Sequence, residues 1–505
     1  MDMKKTTIFL LGTSFGLTML DGAKAQKQIE TPNILLIYLD DLGYGDMSAY
    51  GFSSLETPNM DKIANEGVRF VNGYATSATS TPSRYGLLTG IYPWRQSGVK
   101  ILRGNDSMLI DKEQMTLARM LKQQGYRTGI VGKWHLGLGD DNSDLDWNAK
   151  LTASPNDLGF DYSYIMAATQ DRVPTIYIRN GEVVNLNSEN PIYVDYEKKI
   201  DGCVNVEDHP EKMIMHWSHG HNNSIVNGIP RIGYMKGGDE AIWDDYDLAD
   251  NFLKEAENFI LNNDNQDTPF FLFYAMHQPH VPRTPHPRFE GLSGMGPRGD
   301  AILEADWCIG DILKLLKEEG VLENTLIIFS SDNGPVLDDG YHDNAVEMLG
   351  DHKPFGDLRG GKYSLYEAGT RVPLLTYWKG ITGPKVSEAL VSQVDIFASL
   401  ACLTGSSEKA IDSQNMLDVF LGRSDNGRKN LMIESQFNKA YRSEGWVLIP
   451  PHKGRNFLKK KGIETGISNE YQLYNIIKDP GQKLNLAKSK TKVLKKMINE
   501  YESLK

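Results

Sequence analysis

Cysteine is scarce: three thiols, Cys203, Cys308 and Cys402, are spread over 505 residues with no Cys-x-x-Cys pair. That excludes a thiolate metal motif and a disulfide-stapled miniature fold, leaving open one disulfide in an exported protein. Cys308 lies in an amphipathic helical pattern and Cys402 follows apolar Leu400, so both read as buried thiols. Long apolar runs are missing too. The run from Ile8 to Leu20 is thinned by Gly12 and Gly16, and neither it nor any later stretch reaches the roughly 20 residues that span a bilayer. Nor is there an excess of positive charge: 54 Lys and Arg against 66 Asp and Glu give a formal net charge of -12. Nucleic acids and anionic membranes require a basic surface and are therefore not expected partners. An anionic substrate would have to be met by positive charge gathered locally. No internal repeat or low-complexity tract is present.

Lys4 and Lys5 precede the first apolar run, and Ala23-Lys24-Ala25 follows it as a small-residue cleavage pattern. This is the layout of a secretory signal over residues 1–25. The mature protein is expected to begin near Gln26, in the periplasm or outside the cell. No cysteine follows the cleavage pattern, which argues against a lipid anchor.

With 40% hydrophobic residues the chain can bury a large core. From Thr31 to about Pro373, short apolar runs alternate with helical periodicity. The runs are Ile34 to Leu39, Gly129 to Val131, Phe270 to Ala275, Leu326 to Phe329 and Val372 to Tyr377. Helices are predicted after Thr116 as cap, ending at Gly125, and over Leu248 to Ile260 and Ile302 to Leu316. The pattern predicts an α/β fold, a large mixed, mostly parallel sheet sandwiched by helices. The stretch from Asp140 to Gly238 is loop-rich and reads as an insertion, with a hairpin around Asn180-Gly181. Beyond about Arg423 short strands (Leu431 to Ile433, Trp446 to Ile449, Gln472 to Ile476) precede a final helix with Val493, Leu494, Met497, Ile498 and Tyr501 on one face. The expected division is a main domain over 26–423 and a smaller C-terminal α+β subdomain with an antiparallel sheet over 424–505. The lysines from Lys488 to Lys496 read as the solvated side of that helix.

Chemically distinctive residues follow the apolar runs at once: Asp40-Asp41, then Lys133 and His135, then His277 and His280, then Asp332-Asn333. Each alone reads more readily as a loop residue or helix cap than as a ligand. In open α/β sheets, however, ligands sit at the carboxyl ends of the strands, so four such clusters converge on one crevice. Asp40, Asp41, Asp332 and Asn333 are hard oxygen donors, which favours calcium or magnesium over zinc. His216, His219 and His221 are close in sequence, but Gly220 and Asn222-Asn223 mark a flexible loop rather than a zinc site.

Between the first two clusters, Ser80-Thr-Pro-Ser-Arg-Tyr-Gly-Leu-Leu-Thr-Gly90 places a hydroxyl and an arginine at a helix start. Pro82 suits a first turn, and Arg84 lies one turn further in, a setting for an oxyanion. The segment resembles the type I sulfatase signature, Cys/Ser-x-Pro-Ser/Ala-Arg followed by Leu-Thr-Gly, of the alkaline phosphatase superfamily. Gly132-Lys-Trp-His-Leu-Gly137, Pro279-His280-Val-Pro282 and Arg359-Gly-Gly-Lys362 also resemble family motifs, and the likeness spans nearly the whole mature chain.

The resemblance implies that Ser80 is converted to formylglycine, here by a radical-SAM maturase because serine stands in place of cysteine. It implies one calcium ion held by Asp40, Asp41, Asp332, Asn333 and the modified residue 80. Arg84, Lys133, His135, His280 and Lys362 are the implied catalytic set. In the implied double displacement, a hydrate hydroxyl at position 80 attacks sulfur while His280 or Lys362 protonates the leaving oxygen. His135 then deprotonates the second hydroxyl, expelling sulfate. The expected substrate is a sulfate monoester of a carbohydrate, with galactose or N-acetylgalactosamine sulfates favoured. Arg103, Asp171, Arg172, His219, His221 and His277, in loops beside the motifs, are candidate sugar contacts. Two alternatives remain at this point: a phosphomonoesterase or phosphodiesterase of the same superfamily, and a non-catalytic glycan-binding relative.

Overall fold

The computed structural model describes residues 31–140, 145–262 and 268–504. The signal segment expected over residues 1–25 lies outside them. Thr31 to Lys505 form one compact unit. The first strand, β1 (Asn33–Leu39), is buried along its whole length, as expected of a central strand covered on both faces. A ten-stranded sheet is built around it. Its other members are β2 (Val68–Tyr74), β3 (Arg127–Lys133), β4 (Tyr162–Met166), β5 (Tyr177–Arg179), β6 (Glu182–Val183), β7 (Phe270–Ala275), β8 (Thr325–Ser331), β9 (Leu374–Tyr377) and β10 (Lys385–Ser392). The order is β10-β2-β9-β8-β1-β7-β3-β4-β5-β6.

Strands β8, β1, β7, β3 and β4 run parallel. Their ends are in register, with Tyr38 opposite Ala275, Leu39 opposite Ser331 and Ala275 opposite Gly132. The four polar clusters therefore emerge along one edge of the sheet.

Successive side chains of β1 point to opposite faces, and each face has its own core. Ile34, Leu36 and Tyr38 pack with α2 (Ser80–Thr89), α3 (Leu117–Gln123) and the helix Ile396–Thr404. Leu35, Ile37 and Leu39 pack with α1 (Pro58–Glu66), α4 (Leu248–Leu261) and α5 (Gly296–Glu318). As expected, the Thr116 side chain caps α3, accepting from the Arg119 N–H at 3.1 Å.

Departures from expectation have local causes. Val372 to Tyr377 shortens to β9 because Pro373 has no N–H for a ladder, and β9 runs antiparallel between β8 and β2. The predicted hairpin forms, Asn180 and Gly181 both taking positive φ, but β5 and β6 extend the main sheet instead of standing apart as an insertion. Cys308 is buried, whereas Cys402 is exposed. Two residues past Leu400 is roughly 200° round a helix, so Cys402 faces away from the core that Leu400 joins. All three thiols are free.

At the C-terminus β11 (Asn430–Ser435), β12 (Asn438–Ser443), β13 (Trp446–Ile449) and β16 (Gln472–Asn475) form an antiparallel sheet. The hairpin β14 (Phe457–Leu458) and β15 (Ile463–Glu464) lies between the last two in sequence. One sheet face packs Leu431, Ile433 and Val447 against Tyr74, Leu365 and Tyr366; the other takes Met497 and Tyr501 of the final helix. No helix among the described residues is long and apolar enough to cross a membrane.

The turn after β1 is clamped by a buried ion cluster. Asp46 accepts from Arg298 at 2.8 and 2.6 Å, from His352 Nε2 at 2.7 Å and from the Gly43 N–H at 2.6 Å. Burial alone would raise the Asp46 carboxyl; Arg298 and then His352 hold it well below the usual range. Replacing Arg298 by Met leaves a buried carboxylate without its main counter-charge, which typically costs about 3–5 kcal/mol. Urea unfolding of Arg298→Met should show a loss of that size; a change under about 1 kcal/mol would mean the clamp is dispensable.

Candidate active site

Helix α2 starts at Ser80 after extended Thr79, and all ten of its residues are buried. The Ser80 hydroxyl lies 3.3 Å from both Asp40 Oδ1 and Asn333 Oδ1, one of which takes its proton, and accepts from Lys133 Nζ at 2.9 Å. Lys133 also donates to Asp40 Oδ2 at 2.6 Å. One turn on, Arg84 grips Asp332 Oδ2 through Nε and Nη2 at 3.1 and 2.9 Å, its guanidinium resting 5.2 Å from the Tyr38 ring centre. Asn333 donates through Nδ2 to Asp41 Oδ1 at 2.7 Å. Lys362 donates to Asp41 Oδ2 at 2.8 Å and to Asp339 Oδ2 at 2.9 Å. Residues just past the ends of β1 and β8, with others from α2, β3 and the loop around Lys362, thus meet in one cluster.

Two of its members are conformationally expensive. Asp41 has φ 64° and His135 φ 59°, a left-handed backbone that costs non-glycine residues energy and persists where surrounding contacts enforce it. His135 Nε2 lies 3.0 Å from the Leu102 carbonyl, which can only accept, so that nitrogen carries the proton. Its buried Nδ1 has no partner. Burial, then Lys133 and Arg172, hold the ring well below its ordinary pKa, in the neutral form. His280 Nδ1 likewise faces the Val281 carbonyl at 2.6 Å, leaving Nε2 3.8 Å from Asp41. Burial and then Lys362 lower its pKa to about 4.

Asp40, Asp41, Asp332 and Asn333 are at most 1% exposed. Burial pushes the Asp40 carboxyl up to about 8 even with Lys133 against it. At Asp332 burial is outweighed by Lys133 and Arg84, which hold the carboxyl low. Three carboxylates and an amide oxygen without a thiol form a hard donor set, and the strained charge at Asp40 is what a divalent cation relieves, so these residues fit calcium. Among the described residues, groups of three or more ligating side chains occur at Asp40, Asp41 and His280, and at Asp247, Asp250 and His286. The His216, His219 and His221 trio does not form one.

A pocket of about 200 Å³ opens onto Ser80 and His135. Asp171, Arg172, His219, His221, His280 and Lys362 line it. His221 Nε2 meets Asp171 Oδ2 at 2.7 Å and its Nδ1 meets the His219 carbonyl at 2.9 Å. Gly340 (φ 124°) permits this, since a Cβ there would stand 2.0 Å from His221 Nδ1. Arg103 and His277 do not line the pocket. Arg103 is half exposed and pairs with Glu197, and His277 is buried near Phe252, ring centres 6.1 Å apart. A larger hollow of about 480 Å³, lined by Cys203 and Met235 among others, contains none of these groups.

Sequence reasoning missed Asp339, Tyr363 and Lys461, which also line the pocket. Asp339 had a visible cue, Asp338-Asp339-Gly340 just beyond Asp332-Asn333-Gly334. Lys461 had none, because only the packing of the C-terminal hairpin brings it to Asp339.

The sulfatase family model matches residues 32–406. An N-acetylgalactosamine-6-O-sulfatase of Bacteroides thetaiotaomicron is 45% identical over 500 residues, 97% of each chain. Human arylsulfatase A is 30% identical over 473 residues, 90% of this chain and 83% of that protein. A solved structure from work on glycosaminoglycan metabolism by Bacteroides thetaiotaomicron superposes with a TM-score of 0.92 at 46% identity, covering 94% of this chain and 99% of that one. The motifs around Ser80, Lys133, His280 and Lys362, the shared fold and these likenesses agree: the chain belongs to the sulfatase family, the hydrolases of sulfuric esters.

Proposed function

We propose that this protein removes sulfate from a sulfated carbohydrate, an N-acetylgalactosamine 6-sulfate type of sugar, after Ser80 has been matured to formylglycine. The reading rests on one observation above all: the Ser80 oxygen lies 2.9 Å from Lys133 Nζ and 3.3 Å from Asp40 and Asn333 oxygens. The named substrate of the relative that is 45% identical supports the choice of sugar. Asp40, Asp41, Asp332 and Asn333 would hold a calcium ion. When present, calcium supplies Lewis-acid polarisation of the ester, and formylglycine supplies a geminal diol whose second hydroxyl lets the aldehyde return.

The chain's own groups do the rest. Lys133 and Arg84 keep the Asp332 carboxylate ionised, and Arg84 fixes it beside the nucleophile. Lys133 and Lys362 place ammonium groups where negative charge grows as the ester breaks. His135 accepts a proton at Nδ1, the one ring nitrogen without a partner. Lys362, kept in its ammonium form by Asp339 and Asp41, can give the leaving oxygen its proton; His280, whose proton sits on Nδ1 against the Val281 carbonyl, would have to become charged before Nε2 could donate. Asp171, Arg172 and His221 form a rigid polar wall suited to sugar hydroxyls. The same reading carries export by a cleaved signal over residues 1–25, maturation by a radical-SAM enzyme, and a division of the chain near Arg423.

Co-expression with such a maturase should yield a Ser80 peptide lighter by two hydrogens, and sulfate release should track that fraction. Ser80→Ala should abolish release; unchanged activity in that variant would refute the mechanism. Nitrogen-15 spectra of histidine-labelled protein should show His135 protonated at Nε2, bare at Nδ1 and still neutral at pH 6. The opposite tautomer would remove it as proton acceptor.

A further inference from the structure

Lys453 to Lys461 reads Lys-Gly-Arg-Asn-Phe-Leu-Lys-Lys-Lys, five cations and no acid in a chain whose net charge is -12. The segment carries the first arm of the β14–β15 hairpin. With His219 it lines a hollow of about 580 Å³. His219 and Lys461 line both this hollow and the active-site pocket, so the two adjoin.

The hairpin is held firmly at its root. Glu464 accepts from Arg359 at 2.6 and 2.7 Å, and its carbonyl accepts from Ser364 Oγ at 2.6 Å. The Leu365 N–H donates to the Thr465 carbonyl at 2.8 Å. Ile463 is buried so tightly against Gly361 that a Cβ there would lie 2.7 Å from its methyl. Gly361 precedes Lys362, so one segment fixes both the pocket lysine and the hairpin. A binding surface placed this way loses little entropy when occupied.

Among the described residues, the hairpin's ion pairs are those of Glu464 and Lys461. Arg455, Lys459 and Lys460 are exposed and have none. Phe457, 42% exposed, presents an aromatic surface beside them. Unpaired cations next to an aromatic ring suit a sugar that has an apolar C–H face and an acidic substituent.

We propose that this hollow is a subsite for the neighbouring acidic sugar of an anionic glycan, one bearing a carboxylate or a further sulfate. The inference rests on the sulfatase reading of the pocket and extends it from a single sugar to a charged chain. Positive charge gathered at this rim also draws such a chain toward the pocket.

The test uses matured enzyme, N-acetylgalactosamine 6-sulfate, a tetrasaccharide in which that sugar alternates with glucuronate, and the carboxyl-reduced tetrasaccharide. The variant is Arg455→Gln/Lys459→Gln/Lys460→Gln. It should lower kcat/KM on the tetrasaccharide about tenfold, the sum of a few exposed ion pairs. It should also flatten the salt dependence and leave the monosaccharide unaffected. If carboxyl reduction of the tetrasaccharide abolishes the difference between wild type and variant, the carboxylate is the recognised group; if the difference survives, the neighbouring sulfate is. Calorimetry of the same tetrasaccharide with the unmatured Ser80 protein gives a readout independent of turnover, and there too the variant should bind about tenfold more weakly. Equal losses on mono- and tetrasaccharide, or unchanged tetrasaccharide binding, would overturn the subsite. If matured wild type released no sulfate from any probe, the sulfatase reading would fail, and the calorimetric comparison would still decide whether the hollow binds acidic glycan.

Discussion

Everything at the carboxyl edge of the sheet depends on gathering negative charge out of water. Asp40, Asp41 and Asp332 are all but fully buried around one hydroxyl, and isolated carboxylates in such a setting would give up their charge. Arg84, Lys133 and Lys362 offset them at 2.6–2.9 Å, and a hard cation would complete the balance. The parallel strands are the rigid frame that holds these groups together, since the carboxylates and Lys133 lie at strand ends, while Arg84 comes from helix α2 packed on the same sheet. The Asp46, Arg298 and His352 cluster stiffens the turn directly after Asp40-Asp41. Buried ion pairs of this kind add little net stability but are costly to break, which suits a site that must keep its geometry.

The frame was legible because its signals are local. Apolar runs marked β1, β3, β7 and β8, and the polar residues after them lie together in space as the topology of a parallel sheet requires. Strands β2 and β12 were not foreseen. β2 mixes Arg69 and Asn72 into its run, and β12 reads Asn-Lys-Ala-Tyr-Arg-Ser; both become strands only through partners on each side. Ser80 and Arg84 were visible through a short motif. Asp171, Arg172 and His221 were identified by proximity to motifs, the same reasoning that placed Arg103 and His277, which do not line this pocket, among the candidate sugar contacts. Sequence proximity gives no side-chain direction: Arg103 turns outward to Glu197 and His277 packs into the interior.

The C-terminal sheet contributes more than a cover. Its hairpin delivers Lys461 to Asp339, which in turn holds Lys362, so a residue about a hundred positions away tunes the charge around a pocket lysine. Such a contact has no periodicity or motif to reveal it. It also links the ester pocket to a basic rim, giving one continuous surface on which a charged chain can lie while a single sugar enters the pocket.

The central claim is that these buried carboxylates assemble one hard-cation site at residue 80. Its most direct test is calcium titration calorimetry on metal-stripped protein, paired with elemental analysis, for wild type and Asp41→Asn. One calcium per chain, with affinity weakened at least about tenfold in Asp41→Asn, is the expected result. No calcium binding, or an affinity indifferent to that substitution, would contradict it.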